Sequence, residues 1–168
     1  MIDTSFLKPM HDSAIAEAIR YSAWMFPTLE TAHFIGLCLL VGAMMVVDLR
    51  LLGVLRAGSV KSVLRFTHLA IAGFSINLLS GIGFFVSNPE NYAQNPLFWA
   101  KMILVLLAGL NVLWFELAVR QLLLALPDSA EIPSRMRAVA GLSLGLWIGV
   151  IILGRLLPLL GKIGRAHV

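Results

Sequence analysis

Four ionisable residues interrupt one long apolar run. Between Pro27 and Arg56 the chain carries Glu30 and His33 near the start and Asp48 and Arg50 near the end, with hydrophobic residues filling the interval. An ionisable side chain set in hydrocarbon costs about 2.5–3.5 kcal/mol or more unless it meets a partner, which makes each of these positions a candidate functional site. Glu30 and His33 are three residues apart, the spacing that places a carboxylate and an imidazole on one face of a helix. Such a pair can share a proton, form half of a metal site or present a ring nitrogen to a cofactor.

Depth sorts the remaining polar residues. At a rise of about 1.5 Å per residue, His33 lies about 9 Å below Pro27. His68 falls early in the next apolar run, which travels the opposite way, so the two histidines are separated by roughly 15 Å of a hydrocarbon core about 30 Å thick. They are therefore not expected to ligate one iron. An outer layer is predicted from Glu30, His33, Ser80, Lys101 and Arg155, with Met102 at the depth of a second axial ligand to a haem held by His33. An inner layer is predicted from Asp48, Arg50, Arg65, His68, Glu116 and Arg120, whose acids and bases neutralise one another as an interface lock.

The elements that must position these groups follow from composition. Hydrophobic residues make up 59% of the 168-residue chain and charged residues 13%, and the mean hydropathy is +0.88. This composition predicts an all-α integral membrane protein, a four-helix bundle in a single membrane domain over 1–168. The spans are expected at about 27–55, 64–86, 97–124 and 138–160, joined by turn-rich loops at 87–96 and 127–133. Residues 12–25 read as a short amphipathic interfacial helix, with Ile15, Ala18, Ile19, Ser22 and Met25 on its apolar stripe and Tyr21 and Trp24 at head-group level. No basic region followed by an apolar run and a cleavage site opens the chain, so the first span is expected to serve as its own insertion signal. Gly73, Asn77, Ser80 and Gly81 place small groups on one face of the second span. Gly141, Gly145 and Gly149 repeat at four-residue intervals in the last, the pattern of close packing against another helix or another subunit. Arg155 and Pro158 are expected to close that last helix.

Seven basic residues flank the first and third connections against six elsewhere, and the short first connection is the richest. By the positive-inside tendency both termini are expected on the periplasmic side of a bacterial inner membrane. The single cysteine, Cys38, excludes an intramolecular disulfide. No basic surface interleaved with aromatics suggests nucleic acid. No nucleophile elbow, phosphate-cradling loop or zinc-protease helix is present, so catalysis by the chain alone is not expected.

The pattern Glu30-x-x-His33-x-x-Gly36, followed by Gly42, Asp48-Leu49-Arg50-Leu51-Leu52-Gly53, Gly73-Phe74, Ser80-Gly81, Asn95-Pro96-x-Phe98-x-x-Lys101 and Asn111, resembles an uncharacterised bacterial family of four-helix inner-membrane proteins, a domain of unknown function. The architecture is more loosely similar to copper-resistance protein D and to small b-type cytochromes. The resemblance implies fold and location and brings no activity. The resemblance implies that relatives commonly carry a histidine after the aromatic near position 115, where this chain has Glu116, a departure that weakens transfer of a haem or metal site to the inner layer.

Three functions are compatible with these residues. One is a membrane subunit of an electron-transfer system that binds haem b or a quinone through His33, Glu30, Lys101, Arg155 and Met102. A second is a structural or assembly subunit that meets a protein partner or a second copy through the Gly141/Gly145/Gly149 face. The third is transport or sensing of copper by His33 with Met44, Met45, His11 or His167. Met44 and Met45 are adjacent and point to different faces of a helix, so they build no ladder of thioethers.

Overall fold

The structure is a computed structural model that describes residues 4–56, 59–125, 127 and 131–163. Among the described residues every regular element is helical. A 3-10 turn at Ser5–Leu7 leads into α1 (Lys8–His11), α2 (Ala14–Tyr21), α3 (Met25–Leu51), α4 (Val60–Val63), α5 (Phe66–Ser87), α6 (Pro89–Ala93) and α7 (Pro96–Trp114). A π-helical turn at Phe115–Val119 joins α7 to α8 (Arg120–Ala125), and α9 covers Ser134–Ile163. Four stretches are long and apolar enough to cross a bilayer: Met25–Leu51, Val60–Ser87, Pro96–Ala125 and Ser134–Pro158. The protein is an all-α, multi-pass membrane protein built on four helices.

Local chemistry explains where the helices begin and end. Ser13 caps α2 by accepting from the Ala16 amide at 3.3 Å. Asn95 caps α7 by accepting from the Leu97 amide at 3.0 Å, with Pro96 in the first helical position, where its missing N–H leaves nothing unpaired. Gly53, at φ +81°, takes the left-handed conformation that stops the chain beyond α3. Ser22 adopts an extended backbone between α2 and α3, so the amphipathic helix is separate from the long one. Contrary to expectation, α9 continues through Pro158 to Ile163. Proline removes a single amide donor there, from the bond that the Gly154 carbonyl would otherwise accept.

The α2 helix buries only part of its apolar stripe, Ile19, together with Ala16 beside it, while Ile15 is 67% exposed. The reason is that α2 docks on the ends of α3 and α5, and only the outward edge is left for a head-group region. Arg20 fixes this dock by donating from Nη1 to the Ser87 carbonyl at 2.9 Å.

Helix α3 is the centre of the bundle. It packs along α5 on one side and α9 on the other, and α7 packs on α9. Leu40, Ala43 and Met44 of α3 meet Ala70 of α5, Ala108 of α7 and Trp147 of α9 in a core shared by all four spans. The α3–α5 seam is a close approach of two backbones. A Cβ built on Gly73 would lie 2.5 Å from Leu40 N and 2.7 Å from the Gly36 carbonyl oxygen. Glycine at both positions lets two backbones touch, as small residues do where bilayer helices associate without help from water.

Candidate functional site

Helix α3 carries two polar positions that face other helices, one near each end. The first is His33, half-buried in the same seam one turn before Gly36. Its Nδ1 lies 2.8 Å from Ser80 Oγ on α5, and its ring meets Phe84 edge-on at 5.4 Å between centroids. The Ser80 hydroxyl has one proton, and the Ile76 carbonyl one turn earlier lies 2.7 Å from its oxygen. The same hydroxyl lies 3.2 Å from the Asn77 carbonyl, and the direction of the His33–Ser80 bond follows the histidine tautomer. The imidazole also interacts with the Asn77 backbone, so two groups of α5, Ser80 and Asn77, hold the His33 ring. An imidazole oriented by hydrogen bonds from a neighbouring helix is an arrangement in which histidine ligates metals and accepts protons.

The other members of the predicted outer layer are distributed around this position. Glu30 is exposed and makes no hydrogen bond to His33. Its charge instead reaches Tyr92 in the connection between α5 and α7, whose hydroxyl is pushed above its ordinary pKa first by burial and then by Glu30. Tyr92 and Phe98 pack at 5.6 Å, and Phe98 stacks on Phe85 at 5.5 Å, so an aromatic cluster ties α5, α6 and α7 together beside the site. Lys101 is half-buried on α7, with Nζ 3.7 Å from where a Cβ on Gly154 would stand. Arg155, the neighbour of Gly154, is exposed. Met102 is half-buried on α7, which packs chiefly on α9 rather than on α3.

The second position is Asp48, 2% exposed and enclosed by α3, α7 and α9. It borders a cavity of about 10 Å³ together with Asn111, Phe115, Val139 and Ser143. Asp48 Oδ2 and Ser143 Oγ have no hydrogen-bond partner within 3.5 Å, although the Ser143 hydroxyl stands near enough to the Asp48 carboxyl to interact with it, and Asn111 Nδ2 donates to the Val139 carbonyl at 3.4 Å. Among the described residues no ion pair reaches Asp48. Glu116 and Arg120 pair with each other at 3.5 Å along the π-helical turn, and Arg50 is half-buried. His68 is exposed, with only a 3.4 Å contact from Nδ1 to the Arg65 carbonyl.

Sequence reasoning gave Ser143 no role and left Asn111 without one. A signal was present in the spacing of Asn111, Phe115, Val119 and Leu123, all buried and four residues apart. In an α-helix each step of four overshoots a full turn, so these residues would spiral off the core face. The wider π-helical turn that begins at Phe115 takes up that drift, and such turns often mark functional sites.

The remaining candidates do not gather. Met44 is buried in the shared core and Met45 is 42% exposed. His11 is paired with Asp12 at 3.0 Å on the exposed amino-terminal segment, and His167 lies outside the described residues. No group of three or more His, Cys, Asp or Glu residues that could hold a metal ion occurs among the described residues. On the last span, Gly149 packs under Leu104 of α7, whereas Gly145 has open space where a side chain would project.

These features define a multi-pass membrane helical bundle with one tethered histidine and one enclosed carboxyl. The chain belongs to the family of unknown function DUF6644, whose model matches residues 14–159. No curated protein and no solved structure matches it.

Proposed function

We propose that the protein is a membrane subunit of an electron-transfer system in the bacterial inner membrane, with both termini periplasmic, and that it takes up a quinone or haem b at His33. The observation that supports this reading is a half-buried imidazole within the first span, His33, oriented against α5 by Ser80 at 2.8 Å. A haem b iron takes an unprotonated imidazole nitrogen as an axial ligand, and a quinol hydroxyl needs an acceptor of the same kind. Lys101 and Arg155, toward the same end of the bundle, supply cationic donors for haem propionates or a quinone carbonyl. Glu30 adds a carboxylate at the surface, and Met102 is the thioether available as a second ligand. The sidedness rests on the basic residues that flank the Leu51–Val60 connection.

Purified protein is expected to show Soret absorption or to release quinone on extraction, and His33→Ala to lose that signal while staying folded. A wild-type protein with neither signal would remove the basis of this reading.

A second reading, an assembly subunit, is favoured by the open face at Gly145. Filling that face with Gly145→Leu is expected to shift the particle mass in mild detergent toward the monomer without lowering thermal stability. An unchanged mass would count against it.

A further inference from the structure

A lone carboxylate enclosed at membrane depth needs a counter-charge. Desolvation of an isolated ionised carboxylate is too costly to persist, and it is relieved by a cationic side chain, a bound cation or a proton. Among the described residues no cationic side chain forms an ion pair with Asp48. The groups that face it are Met44 and Val47 from α3, Asn111, Val112 and Phe115 from α7, and Val139, Ala140 and Ser143 from α9, none of them ionisable. The nearest charged residues along α7 and its continuation, Glu116 and Arg120, are paired with each other.

The cavity beside Asp48 measures about 10 Å³, close to the space that one water-sized particle requires, ~10–15 Å³ on this scale. That size matches one water-sized particle better than a hydrated ion or an organic ligand. A single carboxyl carries one negative charge, so a divalent ion would leave one positive charge unmet in hydrocarbon. The oxygen donors present, Asp48 Oδ2 and Ser143 Oγ with the Asn111 amide beside them, are hard ligands suited to a small hard cation. Each comes from a different helix, so occupancy would tie α3, α7 and α9 together at the π-helical turn.

We infer that the cavity enclosed by Asp48, Asn111 and Ser143 binds one small monovalent cation, a proton or a dehydrated Na⁺, as the counter-charge of Asp48. This site is separate from His33 and does not depend on the electron-transfer reading.

The test uses the full chain in detergent. Infrared spectra of wild type and Asp48→Asn are compared in Na⁺-free choline chloride over a pH series, and thermal midpoints are compared between choline chloride and NaCl at equal ionic strength. A protonated-carboxyl band at neutral pH, present in wild type and absent in Asp48→Asn, identifies the proton. An ionised carboxyl with a midpoint raised by NaCl, an increase absent in Asp48→Asn, identifies Na⁺. Ser143→Ala keeps the carboxyl and provides a second reading. It is expected to move the pH at which the band disappears by about one unit, or to weaken the Na⁺ response roughly tenfold, the effect of losing the hydroxyl that interacts with the Asp48 carboxyl. A purely structural serine would change the midpoint and leave the cation response alone. An ionised Asp48 in choline chloride together with a midpoint indifferent to Na⁺ overturns the inference.

Discussion

Gly73→Leu is expected to leave little folded protein, and Gly73→Ala to cost about 1–3 kcal/mol or more. The added Cβ would stand 2.5 Å from Leu40 N and 2.7 Å from the Gly36 carbonyl oxygen. Both are backbone atoms, so no rotamer change can relieve the clash, and α3 and α5 would have to move apart. Separation would weaken dispersion contacts along the whole seam, the main attraction between helices in a solvent as apolar as their own side chains. It would also break the His33–Ser80 bond in the same seam. Gly36 faces the reciprocal constraint, with the Gly73 carbonyl oxygen 2.9 Å from its projected Cβ. Gly149 makes an internal comparison. Its projected Cβ meets Leu104 Cδ1 at 2.8 Å, the far end of a flexible side chain, so Gly149→Ala should be accommodated for well under the cost at Gly73. Thermal unfolding of the purified variants in one detergent measures both, and an unchanged midpoint for Gly73→Ala would contradict the seam argument.

The sequence carries some of this arrangement openly. Spacings of three and four among Gly73, Asn77, Ser80 and Gly81 identify a close-packing face on the second span, and helical rise alone puts Ser80 at the depth of His33. Which helix lies against that face is not written in either pattern, because the bundle settles it through the mutual fit of Gly36 and Gly73. The same limit explains Asp48. Counting charges by depth groups it with Arg50, Glu116 and Arg120, but helical rotation puts it on the edge of α3 that carries Met44, Val47 and Leu51, toward α9 and the enclosed cavity. Depth follows from sequence position, whereas rotation follows from packing. The π-helical turn is harder still, since one extra residue in a helical repeat alters no composition and leaves only the four-residue spacing from Asn111 to Leu123 as its trace.

In Na⁺-free buffer Asp48→Ala is expected to stabilise the protein, by about 1–2 kcal/mol, against the usual outcome of shortening a buried side chain. Two effects compete. Removing the carboxyl enlarges the cavity by on the order of 25 Å³, which costs roughly 0.6 kcal/mol at ~24 cal/mol per Å³. It also removes a polar group with an unpartnered oxygen from a site that is 2% exposed, a burden of about 1–3 kcal/mol if the group is neutral and more if it is charged. The second effect exceeds the first, so the unfolding midpoint should rise. Leu51, one turn further along α3 and 1% exposed, has no such burden, and Leu51→Ala should lose about 2–5 kcal/mol. The contrast separates a side chain retained for packing from one retained in spite of it. Were Asp48→Ala to destabilise the bundle by as much as Leu51→Ala, the carboxyl would be a structural tie between α3 and α9. A rise in stability would instead mark Asp48 as a group held at a cost in fold energy, the relation expected of residues kept for function.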